Sequence, residues 1–355
     1  MAWALDLTTS SAGATALGGA NHVSHILGAA ADGFSLNDTV ALEVDGAINA
    51  GAGSLAFSGT TTGGFNFTAP MTAAGTGTFS SPGWITFNNS LTLGGAMSVI
   101  STANGVSEGG GGTISAPSLT GSTISGLNLP GANQIGALAG FTNTTGGVTV
   151  IDAQPLAVTG AINGGAGTVN IGTTVGGLSV NAPVSGGPYV YLWGQGGVAI
   201  NAAVNTAGVI YLNSQTGDLT EGGGGSLTGS TLVISTNANT VLNGPNSFGA
   251  LGGVYGFGAV TINDQAAMTV TGEVDSNSGA VTLTSAGNLT LSAPVTSPTT
   301  VTLNSGGAAT ETAGGQVKTN TINVTAHSGV NLGGANTIAN VGVDSTIAGP
   351  NVINP

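Results

Sequence analysis

The sequence predicts an all-β fold, a parallel β-helix whose coils are each about 22 residues long. Three observations lead there. The chain repeats itself: Gly19-Ala-Asn21 returns as Gly131-Ala-Asn133, Gly244-Pro-Asn246 and Gly334-Ala-Asn336, at spacings of 112, 113 and 90 residues. The last interval is short by about the length of one coil. Short alternating runs recur throughout, as in Leu156-Ala-Val-Thr159, Val198-Ala-Ile-Asn201, Val281-Thr-Leu-Thr284 and Thr321-Ile-Asn-Val-Thr325.

The super-repeat has further markers. Asp38, Asp152 and Asp264 keep its phase, as do Pro70, Pro183 and Pro294 in Ala-Pro pairs. Glu108, Glu221 and Glu311 are spaced 113 and then 90 residues apart. Because Pro183 and Pro294 are still 111 apart, the loss lies after the Ala-Pro pair and corresponds to the region Tyr189–Gly208. A globular core rarely tolerates such an excision, whereas a stack of near-equivalent coils closes over it.

The strands follow from the alternating runs, which are rich in Val, Ile, Leu and Thr and bounded by Gly, Asn or Ser. No stretch carries a sustained helical period. At the ~4.8 Å spacing of paired strands, about 16 coils would form a rod roughly 75–80 Å long. A β-sandwich or propeller is the competing arrangement of many short strands, and the loss of one coil favours the solenoid. The expected organisation is a single continuous solenoid over residues 1–355, with super-repeats at 19–130, 131–243 and 244–333 and a partial copy at 334–355.

Composition narrows the function. The 355 residues include 65 glycines, one Lys or Arg and 14 acidic residues, for a formal net charge of −13. A chain this acidic has no electrostatic footprint for nucleic acid or anionic lipid. No run of 18 apolar residues is present, so no transmembrane helix is expected, and 5% aromatic content gives no girdles for a membrane barrel. Without cysteine there is no thiol catalysis and no Cys-based metal site. The start, Met1 to Leu7, lacks a basic region followed by an apolar core, so no secretory leader is expected in this sequence.

Segments such as Leu219-Thr-Glu-Gly-Gly-Gly-Gly-Ser-Leu-Thr-Gly229, Leu129-Pro-Gly-Ala-Asn-Gln-Ile-Gly-Ala-Leu-Ala-Gly-Phe141 and Leu156-Ala-Val-Thr-Gly-Ala-Ile-Asn163 carry a resemblance. They are similar to the repeats of large bacterial exoproteins of the filamentous-haemagglutinin type, the passengers of two-partner and autotransporter secretion. The resemblance spans nearly the whole chain and is one of rhythm and composition. It implies a right-handed parallel β-helix at the bacterial cell surface, extracellular, serving as an adhesin or stalk. An Asn-Pro-Asn-Gly secretion signature and a C-terminal translocator are both missing. The sequence begins and ends near the same phase of the long repeat, and Pro350–Pro355 does not read as a cap. The alternative is therefore a filament or surface-layer subunit whose copies stack end to end through unpaired strand edges.

The sharpest candidate site is Pro188-Tyr-Val-Tyr-Leu-Trp193. In a strand, Tyr189, Tyr191 and Trp193 share one face while Val190 and Leu192 fill the interior. The aligned positions are Thr76, Thr78 and Ser80, and Thr300, Thr302 and Asn304, all small and polar. An outward aromatic strip would stack on sugar rings or mark a protein contact; covered by a loop, it would be a structural ladder. Glu108, Glu221 and Glu311, beside Gly-rich turns, read as carboxylates capping backbone N–H groups, and Asp38, Asp152 and Asp264 likewise. His22 and His25 read as a surface turn, since the motif holds no acidic partner; no metal ligand is expected. The Gly-rich runs lack a following Gly-Lys, and the only lysine is Lys318, so they do not form a phosphate loop.

Glu43/Asp45 and Glu273/Asp275 are the close carboxylate pairs that hydrolysis would want, but a basic residue to hold an acidic glycan is lacking. The sequence thus points away from an enzyme and from any cofactor. The partners it suggests are further copies of the chain, or a glycan or protein of a host or cell surface.

Overall fold

Each strand pairs with the strand one turn away, and this fixes the architecture. The structure, a computed structural model, describes residues 5–346 and 351–354. Met1 lies outside the described residues; of the end expected to be uncapped, Pro350–Pro355, residues 351–354 are described, and Asn351–Ile353 is a strand paired with Val330–Leu332. Among the described residues every regular element is a β-strand. The chain is a parallel β-solenoid of about 16 coils, with neighbouring strands about 21 residues apart, slightly tighter than the sequence implies. It divides into two compact units, Met1–Val175 with Ser185–Gly187, and Gly176–Val184 with Pro188–Pro355.

In the first unit, one stack of strands runs through Phe34–Asp38, Leu55–Gly59, Gly77–Ser81, Met97–Ser101 and Leu119–Thr123. A second runs through Leu42–Val44, Phe65–Phe67, Ile85–Phe87 and Val106–Glu108. A third comprises Ile48–Asn49, Met71–Ala73, Ser90–Leu93 and Thr113–Ala116. Period-two alternation sends every second side chain inward. The pitch then lays like over like: Phe57 stacks on Phe79 with centroids 5.8 Å apart and planes 6° from parallel, and Phe67 on Phe87 at 5.1 Å and 16°. Phe57 and Phe67 meet edge to face at 5.1 Å, which ties two stacks together across the interior.

The second unit is built the same way with an aliphatic core. Val260, Val281 and Val301 form one inward column, and Ile262, Leu283 and Leu303 another. At strand ends, buried hydroxyls hold the corners. Ser276 donates to the Gly258 carbonyl, Ser285 to Ala266 and Ser305 to Gly287, so carbonyls at the turns are satisfied from the adjacent coil. Where the turns of successive coils almost touch, only glycine fits. Gly147 in the first unit has φ 87°, and a Cβ there would lie 2.3 Å from the Thr168 carbonyl oxygen.

The super-repeat is out of phase with the coil. In the first unit Asp38 ends a strand of the first stack, whereas Val148–Asp152 continues the second, reached from Val106–Glu108 through Leu127–Ile135. In the second unit Glu221 lies in the stack of Val198–Ile200, Leu219–Glu221 and Thr240–Leu242, whereas Glu311 lies in that of Leu289–Leu291, Ala309–Glu311 and Val330–Leu332. A period near 112 is about five and one-third turns, and the short interval of 90 about four and one-third. The missing segment is one whole turn, and each super-repeat advances by one face.

The fold assigns Phe67 to the core and Ile100, on the outer side of its strand, to the surface. Phe67→Ala is expected to lower unfolding free energy in urea by about 3–5 kcal/mol, and Ile100→Ala by no more than about 0.5 kcal/mol.

Candidate functional site

The strand Tyr189–Gly194 places its residues as the alternation demands. Val190 and Leu192 are fully buried, Tyr189 is 44% exposed, and Tyr191 and Trp193 are half-buried. Register then extends the row. Tyr191 lies beside Tyr211 and Trp193 beside Asn213 on the next coil; Tyr211 lies beside Val233, and Ser235 beside Tyr255, on the coils after that. All four tyrosines of the chain therefore stand on one stack of strands in the second unit. Apart from buried Phe248, every aromatic residue after Pro188 lies in these turns or, like Phe257, just beyond the last strand.

The rings partly cover one another. Tyr189 and Tyr211 have centroids 6.1 Å apart, Tyr191 and Trp193 6.5 Å, and Tyr191 meets Tyr211 nearly at right angles, 6.2 Å away. This crowding desolvates the Tyr191 hydroxyl and raises its pKa. Between the rings runs an open groove of about 390 Å³ lined by Tyr189, Tyr191, Tyr211, Asn213, Val233 and Ser235. Tyr211, Tyr255 and Phe257 remain 38%, 54% and 57% exposed, so this is a surface and not a ladder sealed under a loop. The sequence shows the row Tyr189, Tyr191, Trp193; it does not show Tyr211 and Tyr255, which join only through the pitch.

The super-repeat markers converge on a second arrangement. Glu108 Oε2 accepts the Gly131 N–H at 2.8 Å and the Asn133 side-chain amide at 3.2 Å. That amide also donates to the Ile151 carbonyl, while Asn133 Oδ1 accepts the Ile114 N–H at 2.7 Å. One asparagine thus joins the coil before it to the coil after it. Asp152 completes the bracket, accepting the Ile135 N–H at 2.7 Å and the Gln154 N–H at 3.1 Å. The same bonds recur from Glu221 through Gly244 and Asn246 to Asp264, from Glu311 to Gly334 and Asn336, and from Asn21 to Asp38. The carboxylates do cap N–H groups, but those bound by the glutamates belong to the next coil and not to the adjacent Gly-rich turn.

Four of these acids are held where charge is disfavoured. Burial pushes the Asp152 carboxyl up from 3.8 to about 6, with Glu108 adding to the rise, and raises Glu108, Glu221 and Asp264 against the opposing pull of their hydrogen bonds.

A third cluster was hidden from the sequence motif. His25 Nδ1 lies 2.7 Å from Asp45 Oδ2, and His25 is the register partner of Glu43. The acidic partners missing beside His25 in sequence come from the next coil, 18 and 20 residues on. His22 contacts Thr39 Oγ1 instead. The other close pair, Glu273 and Asp275, flanks buried Val274 on an outer face.

Comparison with family models, with curated proteins and with solved structures returns no match to the chain.

A carboxyl whose folded pKa exceeds its unfolded one contributes stability in its protonated form, which is lost as pH rises through the folded value. For Asp152 the window runs from about pH 4 to 6 and is worth about 3 kcal/mol. The unfolding midpoint in urea is expected to fall across that window and Asp152→Asn to flatten the slope, as a pH series on both proteins would show.

Proposed function

We propose that the chain is a non-catalytic structural and adhesive element, a β-helical rod of the kind carried outside the cell by bacterial exoproteins, with the aromatic face as its contact surface. The observation that carries this reading is the gathering of all four tyrosines and Trp193 on one stack of strands. A core does not need them there. Elsewhere the outward positions of paired strands are often threonine, serine or asparagine, as in Thr282, Thr302 and Asn323.

The solenoid is suited to the role because its stability is a sum over neighbouring coils, so length and surface vary without disturbing the core. Catalysis has less support. The Glu43/Asp45 pair has no lysine or arginine in its unit, and beside Glu273/Asp275 the single lysine, Lys318, stands two coils from Asp275 along one open groove and is exposed. The partner suited to the face is a glycan or protein of a cell surface, since aromatic rings supply contact area at small entropic cost. End-to-end stacking of copies is the competing role.

Two measurements test the reading. Electron microscopy at low and high concentration should show discrete particles at both; filaments growing with concentration would make assembly itself the function. Binding to glycan arrays and to fixed cells should fall by roughly tenfold or more when Tyr189, Tyr191 and Tyr211 are replaced by serine, as for aromatic anchors at other interfaces. Equal binding by the variant would remove the aromatic face from the account.

A further inference from the structure

In the first unit, Asp6, His25 and Glu43 form one outward row across three consecutive coils, because Asp6 is the register partner of His25 and His25 that of Glu43. Asp45, two residues beyond Glu43, lies on the same face against the imidazole. One ligand atom from each of His25, Glu43 and Asp45 falls within 4.8 Å of the other two. Parallel strands hold the backbones of His25 and Glu43, and Asp45, just past its strand, is tied to the same pair by its N–H on the Ile26 carbonyl at 2.9 Å.

Two further features separate this cluster from an ordinary acidic surface. The first is an outer layer. From the following coil, Asn66 Nδ2 donates to Glu43 Oε1 at 3.0 Å, and the Thr68 hydroxyl is shared between the Val44 carbonyl at 2.8 Å and Asp45 Oδ1 at 3.1 Å. Each carboxylate is thereby held through one oxygen, and Asp45 keeps its second, Oδ2, against His25 Nδ1, the way outer groups orient metal ligands. The second is charge. The chain has one Lys or Arg in all, Lys318, and it belongs to the other unit. Three carboxylates therefore converge on the His25 imidazole with no lysine or arginine in that unit.

We propose that His25, Glu43 and Asp45 bind a divalent transition-metal ion of the zinc class, through one imidazole nitrogen and one oxygen from each carboxylate. Such ions take mixed nitrogen and oxygen ligands at about 2.0–2.2 Å, and water fills the remaining positions. Calcium fits less well, since it takes oxygen ligands in larger number. The ion replaces the His25–Asp45 contact and clips two coils together from outside. Because the imidazole must be neutral to bind, the ion competes with a proton that Asp45, Asp6 and Glu43 all favour, and affinity falls as pH is lowered. The site is independent of the aromatic face.

The test is titration of the purified chain with zinc by calorimetry and with cobalt by visible absorption, near neutral pH. One equivalent should bind to the wild type and to His22→Ala. His25→Gln and Glu43→Gln should abolish saturable binding, and Thr68→Val should weaken it roughly 10- to 100-fold. These side chains are on the surface, so unchanged unfolding of the metal-free variants would show that the fold is intact. Equal binding by His25→Gln and wild type would mean only diffuse attraction of ions to an acidic surface, and absence of binding to the wild type would equally overturn the proposal.

Discussion

The backbone ladder between successive coils is the constraint on which the rest of the structure depends. Each strand satisfies its amides on a strand about 21 residues earlier and another about 21 residues later, so residues far apart in sequence become vertical neighbours. Inward positions turn into columns, and columns of like residues pack best, as in the Phe57–Phe79 and Phe67–Phe87 stacks. Outward positions turn into rows, and a row combines whatever the pitch brings together: the Asn66–Asn88 bond, the tyrosine cluster, the His25 cluster.

Buried polar groups in such a stack need partners in adjacent coils, and the Glu–Asn–Asp brackets supply most of them, leaving Oε1 of Glu108, Glu221 and Glu311 and Oδ2 of Asp38 and Asp264 without a hydrogen bond. An asparagine side chain that accepts from one coil and donates to the next locks the register of both, because a slip by one residue would leave several buried groups unsatisfied. This explains why Gly-x-Asn, Glu and Asp are what the super-repeat preserves while the intervening strands vary. Since the super-repeat advances by one face each time, the brackets are distributed around the coil and do not line one side. The arrangement has a cost, visible in the raised Asp152 pKa.

How much was legible in the sequence depended on whether a feature needed the pitch. The strands and their inward faces were readable from alternation alone, and Val190 and Leu192 sit where that pattern puts them. The loss of one coil gave the approximate turn length. Register could not be had the same way, because the offset between partners varies: 20 residues from Phe65 to Ile85, 23 from Leu42 to Phe65. An error of one residue moves a side chain to the opposite face. Tyr211, Tyr255 and the partners of His25 were therefore out of reach, although a search for chemistry-bearing residues at offsets of 18 to 22 would have brought Tyr211, Glu43 and Asp45 forward; Tyr255, two coils beyond Tyr211, needs the register itself.

The central claim is that one turn is the structural unit, whatever the sequence period. Deleting residues 281–300 would remove one turn of the second unit and bring Val301 into the position of Val281. Deleting about 10 residues from the same region would remove half a turn and set strands of one coil against corners of the next. Far-ultraviolet circular dichroism with urea unfolding on both proteins decides the matter. The account predicts a β-rich spectrum and a cooperative transition for the whole-turn deletion and their loss for the half-turn deletion. Equal damage from both, or greater damage from the whole turn, would contradict it.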